Sequence, residues 1–219
     1  MISKNYSNRL FGRTRGRANK KITLKDYQNI IEKYQFKELK KNNGYILDIG
    51  TGYGESTIYL AKKNKNKTII SCEKYIDGNL NLIKNINEQC IDNIKLHSGN
   101  VYDVLEKSNK KKFFEFVFIL FPDPWPKKKH FKRRLITTNF LRILHHNLSI
   151  NGQVFIATDS ISYTRQILKN IYETKNLYKW INQNQIHLKL LDYFNLKTKF
   201  YNKATKLGVE PIFLILKKI

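Results

Sequence analysis

Cysteine is nearly absent from this 219-residue chain, Cys72 and Cys90 being the only two. Two thiols so placed form neither a disulfide framework nor a metal-ligand spacing, which fits a reducing compartment and makes the cytoplasm the default location. No apolar run approaches the ~18 residues of a spanning helix, and no signal-peptide pattern is visible, so no insertion into a membrane is expected. The first 25 residues are basic and free of acid, as a transit peptide would be, but Gly12 and Gly16 interrupt any amphipathic helix there. Acids are scarce too: 17 Asp and Glu stand against 41 Lys and Arg, for a net charge of +24. That imbalance points to a polyanion, nucleic acid or an acidic membrane surface. A biased base composition rich in Lys, Asn and Ile produces the same excess without any partner.

Arginine is the scarce cation, and its placement says more than the total. Of eight arginines, Arg9, Arg13, Arg15 and Arg17 lie in "NRLFGRTRGR", and Arg133 and Arg134 lie in "LFPDPWPKKKHFKRR". Arginine makes planar, forked contacts to phosphate, which lysine does not. Residues 1–21 read as a basic N-terminal arm, ordered only on a partner, and residues 22–219 as a single domain. The pattern leaves monomer and homodimer equally open.

From residue 23 the chain alternates. "TLKDYQNIIEKY" has helical spacing with Thr23 as its cap. The apolar runs "GYILDIG", "KTIISCEK", "NIKLHSGN", "FFEFVFILF" and "GQVFIATD" read as strands, and helical stretches separate them. The tail "DYFNLKTKFYNK…EPIFLILKKI" offers two further strands with no good helix between them. Such alternation predicts an α/β fold: a Rossmann-like, mostly parallel seven-stranded sheet with helices on both faces and an antiparallel C-terminal edge pair. Ligands in such sheets bind beyond the carboxyl ends of the strands. The residues closing the first five strands are Asp48, Glu73, Asn100, Asp123 and Asp159, four of them acids in an acid-poor chain.

In "LDIGTGYGES" the glycines Gly50, Gly52 and Gly54 run G-x-G-x-G, with Glu55 where a dinucleotide fingerprint has its third glycine. With Asp48 ahead of it, the turn resembles that of S-adenosylmethionine-dependent methyltransferases. Such a ligand carries no phosphate, so a compact turn suffices, and Asp48 suits its ammonium end. Glu73, ending the second strand, is placed to accept from both ribose hydroxyls. Asn100 then falls near the adenine.

Asp123 ends the fourth strand between Pro122 and Pro124, with Trp125 and Pro126 following. Three prolines stiffen the loop, and rigid placement of an acceptor is what a two-substrate transfer requires. Here "FPDPWPKKKHFKRR" resembles the signature of the bacterial tRNA (guanine-N7-)-methyltransferase family, whose members methylate a guanine in the tRNA variable loop. "RLFGRTRGR", "LHSGN", "ATDSISY" and "TKFYNKATKLG" follow that family's pattern in order. The resemblance implies S-adenosyl-L-methionine contacts at Asp48, Gly50, Gly52, Gly54, Glu73, Asn100 and Asp123. It implies Asp123 as the catalytic residue, and tRNA or guanine contacts at Lys127, Asp159, Thr198, Lys199, Phe200 and Tyr201. Two positions depart from the pattern: Asn100 stands where the family usually has Asp, and Tyr201 where it has Glu.

Guanine N7 attacks through a lone pair and needs no prior deprotonation, so no nucleophile triad and no metal are expected. Lys127, Lys128, Lys129, Lys132, Arg133 and Arg134 are expected to meet phosphates. His97, His145, His146 and Trp180 read as structural, and His130 as either a phosphate contact or a loop brace. Two alternatives stay open: methylation of another nucleophile, which "DPWP" disfavours, and a catalytically silent RNA-binding scaffold.

Overall fold

The computed structural model describes residues 11–12, 14–15, 22–38, 44–108, 112–184 and 198–219. Helix α1 (Leu24–Glu32) starts where the sequence places its cap: the Thr23 hydroxyl accepts the Asp26 N–H at 3.1 Å, satisfying a donor the helix cannot. There follow β1 (Tyr45–Ile49), α2 (Glu55–Lys63), β2 (Thr68–Cys72), α3 (Ile76–Glu88), β3 (Ile94–His97), α4 (Val101–Lys107) and β4 (Phe114–Leu120). A 3₁₀ helix (Lys128–Arg133) leads to α5 (Thr138–Asn147), β5 (Leu148–Thr158), α6 (Ile161–Glu173), β6 (Tyr178–Trp180), α7 (Lys199–Lys206) and β7 (Ile212–Lys218).

The seven strands form one sheet in the order β3-β2-β1-β4-β5-β7-β6. β1 to β5 are mutually parallel, and β7 runs antiparallel to both of its neighbours, β5 and β6. Alternate residues of the central strands feed two cores. Leu47, Ile49, Val117 and Ile119 pack on one face with Phe140 of α5 and Tyr163 of α6. Ile46, Phe118 and Leu120 pack on the other with Tyr27 of α1, Leu60 of α2 and Leu82 of α3. Burying both faces explains why these strands read as continuous apolar runs. Each large side chain so buried contributes roughly 1.5–3 kcal/mol.

The tail departs from the strand expectation. Residues 192–197 lie outside the described residues, and the stretch that follows is helix α7. Its cap is Thr198, whose hydroxyl accepts the Tyr201 N–H at 3.1 Å, and Tyr201 and Ala204 are buried at helical spacing. The strand that completes the edge with β7 is therefore the short β6. Among the described residues no helix is long and apolar enough to cross a membrane.

Candidate active site

β1 lies between β2 and β4, so the chain leaves it in opposite directions, and a crevice opens beyond the carboxyl ends of β1 and β4. The glycine turn forms its floor. Gly50, Gly52 and Gly54 have φ of +74°, +56° and +86°. At Gly50 an added Cβ would meet nothing within 4 Å, whereas at Gly54 it would fall 2.7 Å from Leu82 Cδ1. Gly50 thus borders open space, and Gly54 lets α2 and α3 pack closely.

Glu73 ties this turn to α3. Its Oε2 accepts the Gly52 N–H at 2.9 Å, and its Oε1 accepts the N–H groups of Lys74 at 2.7 Å and Tyr75 at 2.9 Å. Asp48 sits deeper, only 1% exposed, with Oδ2 accepting the hydroxyls of Ser56 and Thr57, both at 2.7 Å. Burial pushes its carboxyl up to about 6, against the two hydroxyl bonds, and the Glu73 charge adds to the rise. Asp48 therefore fastens the end of β1 to the first turn of α2. Asn100 caps α4: its Oδ1 accepts the Tyr102 N–H at 3.1 Å.

Above this floor the crevice is walled by Leu120, the last residue of β4, by Phe121 just after it, and by Thr198 and Lys199 at the start of α7. The glycine turn and the late "TK" residues, far apart in sequence, thus share one cleft. Lys199 joins it twice, through its N–H to Glu55 Oε2 at 2.5 Å and through its Nζ over the Tyr53 ring at 5.1 Å.

Asp123 stands at the rim, exposed but crowded. Crowding raises its carboxyl pKa, and the Lys74 ammonium pulls it back down. A Cβ built on Gly12 would lie 3.3 Å from Asp123 Oδ2 and 3.1 Å from Lys74 Cε, so this short piece of the arm passes over the acid. The Thr14 carbonyl accepts the Ile76 N–H at 2.9 Å, and the Phe11 ring meets Trp125 edge-on at 6.3 Å. The Arg133 guanidinium lies over both rings, 5.1 Å from Phe11 and 4.9 Å from Trp125. His130 packs edge-on against Trp125 at 5.8 Å. Partial desolvation lowers its imidazole pKa, and the cations Arg133, Lys129, Lys127 and Lys132 lower it further.

Other expected residues fall elsewhere. Lys127 is exposed ahead of the 3₁₀ helix, with Lys128, Lys129 and Lys132 exposed beside it. Asp159 is exposed just past β5. The side chain of Phe200 lies outside the described residues. Tyr201 is 8% exposed, its ring 6.4 Å from that of Phe213, so its side chain belongs to the core beneath α7. Arg134 is a correction: it is 2% exposed and hydrogen-bonded to protein atoms through Nε, Nη1 and Nη2, so it is no phosphate contact. The pattern reading passed over Lys74 and Glu55, although each adjoins a residue it singled out. Among the described residues no cluster of His, Cys, Asp and Glu could hold a metal.

A parallel sheet with a G-x-G-x-G turn after β1, an acid after β2 and a reversed β7 defines a Rossmann-like methyltransferase. An rRNA methylase from Streptococcus thermophilus shares the fold, with a TM-score of 0.53 at 11% identity over 88% of this chain and 93% of that one. Residues 42–214 match the family described as "Putative methyltransferase". The tRNA (guanine-N(7)-)-methyltransferase of Wolbachia pipientis wMel is 36% identical over 69% of this chain and 72% of its own length. That of Mycoplasmopsis pulmonis is 32% identical over 90% and 94%. The chain belongs to the tRNA (guanine-N(7)-)-methyltransferase family. It also aligns over 97% of its length, at 33% identity, with a bifunctional methyltransferase of Rickettsia conorii, of which it spans 40%.

Proposed function

We propose that this protein transfers a methyl group from S-adenosyl-L-methionine to N7 of a guanine in tRNA, the variable-loop guanine at position 46. The observation that carries this reading is the shared cleft, in which the glycine turn, Phe121 two residues ahead of Asp123, and the Thr198–Lys199 segment come together. The described residues fit the cofactor. Gly50 borders open space, and the Glu73 carboxylate, which accepts two N–H groups on Oε1 and one on Oε2, has one lone pair left, on Oε2, for a ribose hydroxyl. Asn100, whose Oδ1 caps α4, is the residue that would stand near the adenine. When bound, S-adenosylmethionine supplies a methyl group made electrophilic by its positive sulfur.

The chain's own residues then have a limited task. N7 carries its lone pair at neutral pH, so no residue need remove a proton before attack. Asp123 accepts from the N–H edge of the base, orients it, and stabilises the positive charge arriving on the ring. Its exposed position keeps it reachable, and the Lys74 ammonium favours its charged form. Lys127, Lys128, Lys129, Lys132 and Arg133 meet phosphates around the target, and Arg133 also braces Trp125. Basic residues 1–21 serve as an arm on a single methyltransferase domain, 22–219, working in the cytoplasm. Tyr201 contributes to packing α7, leaving Thr198 and Lys199 to present that segment to the RNA.

The test is methyl transfer from labelled S-adenosylmethionine to tRNA lacking 7-methylguanosine, read by nucleoside mass spectrometry. New 7-methylguanosine in the variable loop supports reaction and substrate together. No transfer, with cofactor and tRNA both bound, would make the chain a silent scaffold.

A further inference from the structure

We propose that Arg134 is a positioning residue for methyl transfer: its buried guanidinium, through the Pro124 carbonyl, sets where the Asp123 carboxylate stands. The proposal rests on the reading of Asp123 given above.

A buried arginine is costly unless its donors are met. Arg134 Nε donates to the Pro124 carbonyl at 2.7 Å. Nη1 donates to the Ser162 carbonyl at 3.1 Å and to Gln166 Oε1 at 2.8 Å, and Nη2 to Ser162 Oγ at 2.8 Å. None of these partners is a carboxylate. The guanidinium also lies 3.7 Å from the Phe131 ring centre and 4.8 Å from that of Tyr163. Only a planar fork satisfies three directions while lying against two rings, and lysine cannot reproduce it.

What Arg134 holds is the loop least able to hold itself. The last strand-like bond of β4 is Phe121 N–H to the Ala157 carbonyl at 2.8 Å. Beyond it Pro122, Pro124 and Pro126 have no N–H to donate. Phe121 and Trp125 have φ of +53° and +44°, a strained conformation for residues with large side chains, and they flank Asp123 on both sides. Such a conformation persists only when its surroundings impose it. Arg134 imposes it from α6, through Ser162 and Gln166, onto the residue next to Asp123. The general-purpose role of phosphate contact is closed to it by burial.

Arg134→Lys and the wild type are compared in the methyl-transfer assay. The expected result is a fall in kcat of ~30-fold with KM for tRNA within ~2-fold, because orientation and not binding is lost. A raised KM with kcat kept would overturn the proposal. In an Asp123→Asn background the same substitution should cost no more than ~3-fold, since residues acting as a unit are not additive; a full ~30-fold loss there would mean general disruption and overturn it. Should Arg134→Lys fold poorly, Gln166→Leu removes one anchor and should lower kcat by ~3–10-fold with the same split. The ¹⁹F resonance of 5-fluorotryptophan at Trp125, assigned with Trp180→Phe, gives a readout independent of activity. It should shift or broaden in Arg134→Lys, and an unchanged signal sinks the proposal even if the wild type proves to methylate nothing. Absence of transfer by the wild type alone would instead count against the proposed function.

Discussion

The Lys199 N–H donates to the Glu55 carboxylate at 2.5 Å, so the first residue of α2 also closes the start of α7. The helix that follows the glycine turn and the helix that begins the expected RNA-contacting segment thus share one carboxylate. Negative charge at a helix N-terminus is favourable, by a few tenths to ~1 kcal/mol at exposed positions. Glu55→Ala should therefore leave the fold intact and weaken tRNA and cofactor binding by ~2–5-fold each. Calorimetric titration of each ligand checks this, and unchanged affinity for both would show the contact to be idle.

Asp123→Ala should lower turnover by at least ~100-fold while tRNA affinity, measured by filter binding, stays within ~3-fold. The carboxylate would be lost from the rim, but the exposed lysines of the 3₁₀ helix would remain. Near-normal turnover in this variant would remove Asp123 from the chemistry.

Gly50 and Gly54 share a left-handed backbone but should respond differently to substitution. Gly50→Ala places its methyl group in open space, so the protein should fold with only the ~1 kcal/mol strain of the conformation, yet lose most cofactor affinity. Gly54→Ala drives a methyl group into Leu82 and should cost ~2–4 kcal/mol of stability. Urea melts beside cofactor titrations separate the two outcomes; equal loss of stability in both would contradict the open cradle.

Asp48 makes stability pH-dependent. Its carboxyl is raised from 3.8 to about 6 in the folded protein. Between those values the folded state holds a proton the unfolded state has released, so the group's contribution is full below pH ~4 and is lost as pH rises through ~6. Some two pH units at ~1.4 kcal/mol each bound the effect near ~3 kcal/mol. Asp48→Asn should gain ~1–3 kcal/mol relative to wild type between pH 4 and pH 8, measured by urea melts at each pH. A difference that does not move with pH would exclude a buried charge there.

The alternating core of the fold was readable because β1 to β5 are buried on both faces and their helices carry 3.6-residue spacing. The cap at Thr23 was readable for the same local reason. Where tertiary pairing decides, reading failed. Phe200 and Tyr201 favour a strand by type, but Thr198 caps a helix and Tyr201 and Ala204 bury as helical neighbours. Tyr178–Trp180 is too short to show alternation, and β7 alone makes it a strand. Arg134 carries the same formal charge as Lys128, and nothing local distinguishes them. The distinction comes from Ser162, Tyr163 and Gln166, which only the fold brings alongside.

The direction of β7 has a consequence for the reach of the late chain. Ile212, where β7 begins, is paired with Thr158, where β5 ends. A seventh strand parallel to β5 would begin at the opposite edge of the sheet, and the residues before it would be carried to the wrong end of the molecule. Reversal makes the approach to the final strand a short overhead passage, so α7 stays level with Gly50. The single backward strand is thus what lets the last quarter of the chain return to the place where the first quarter left its glycines.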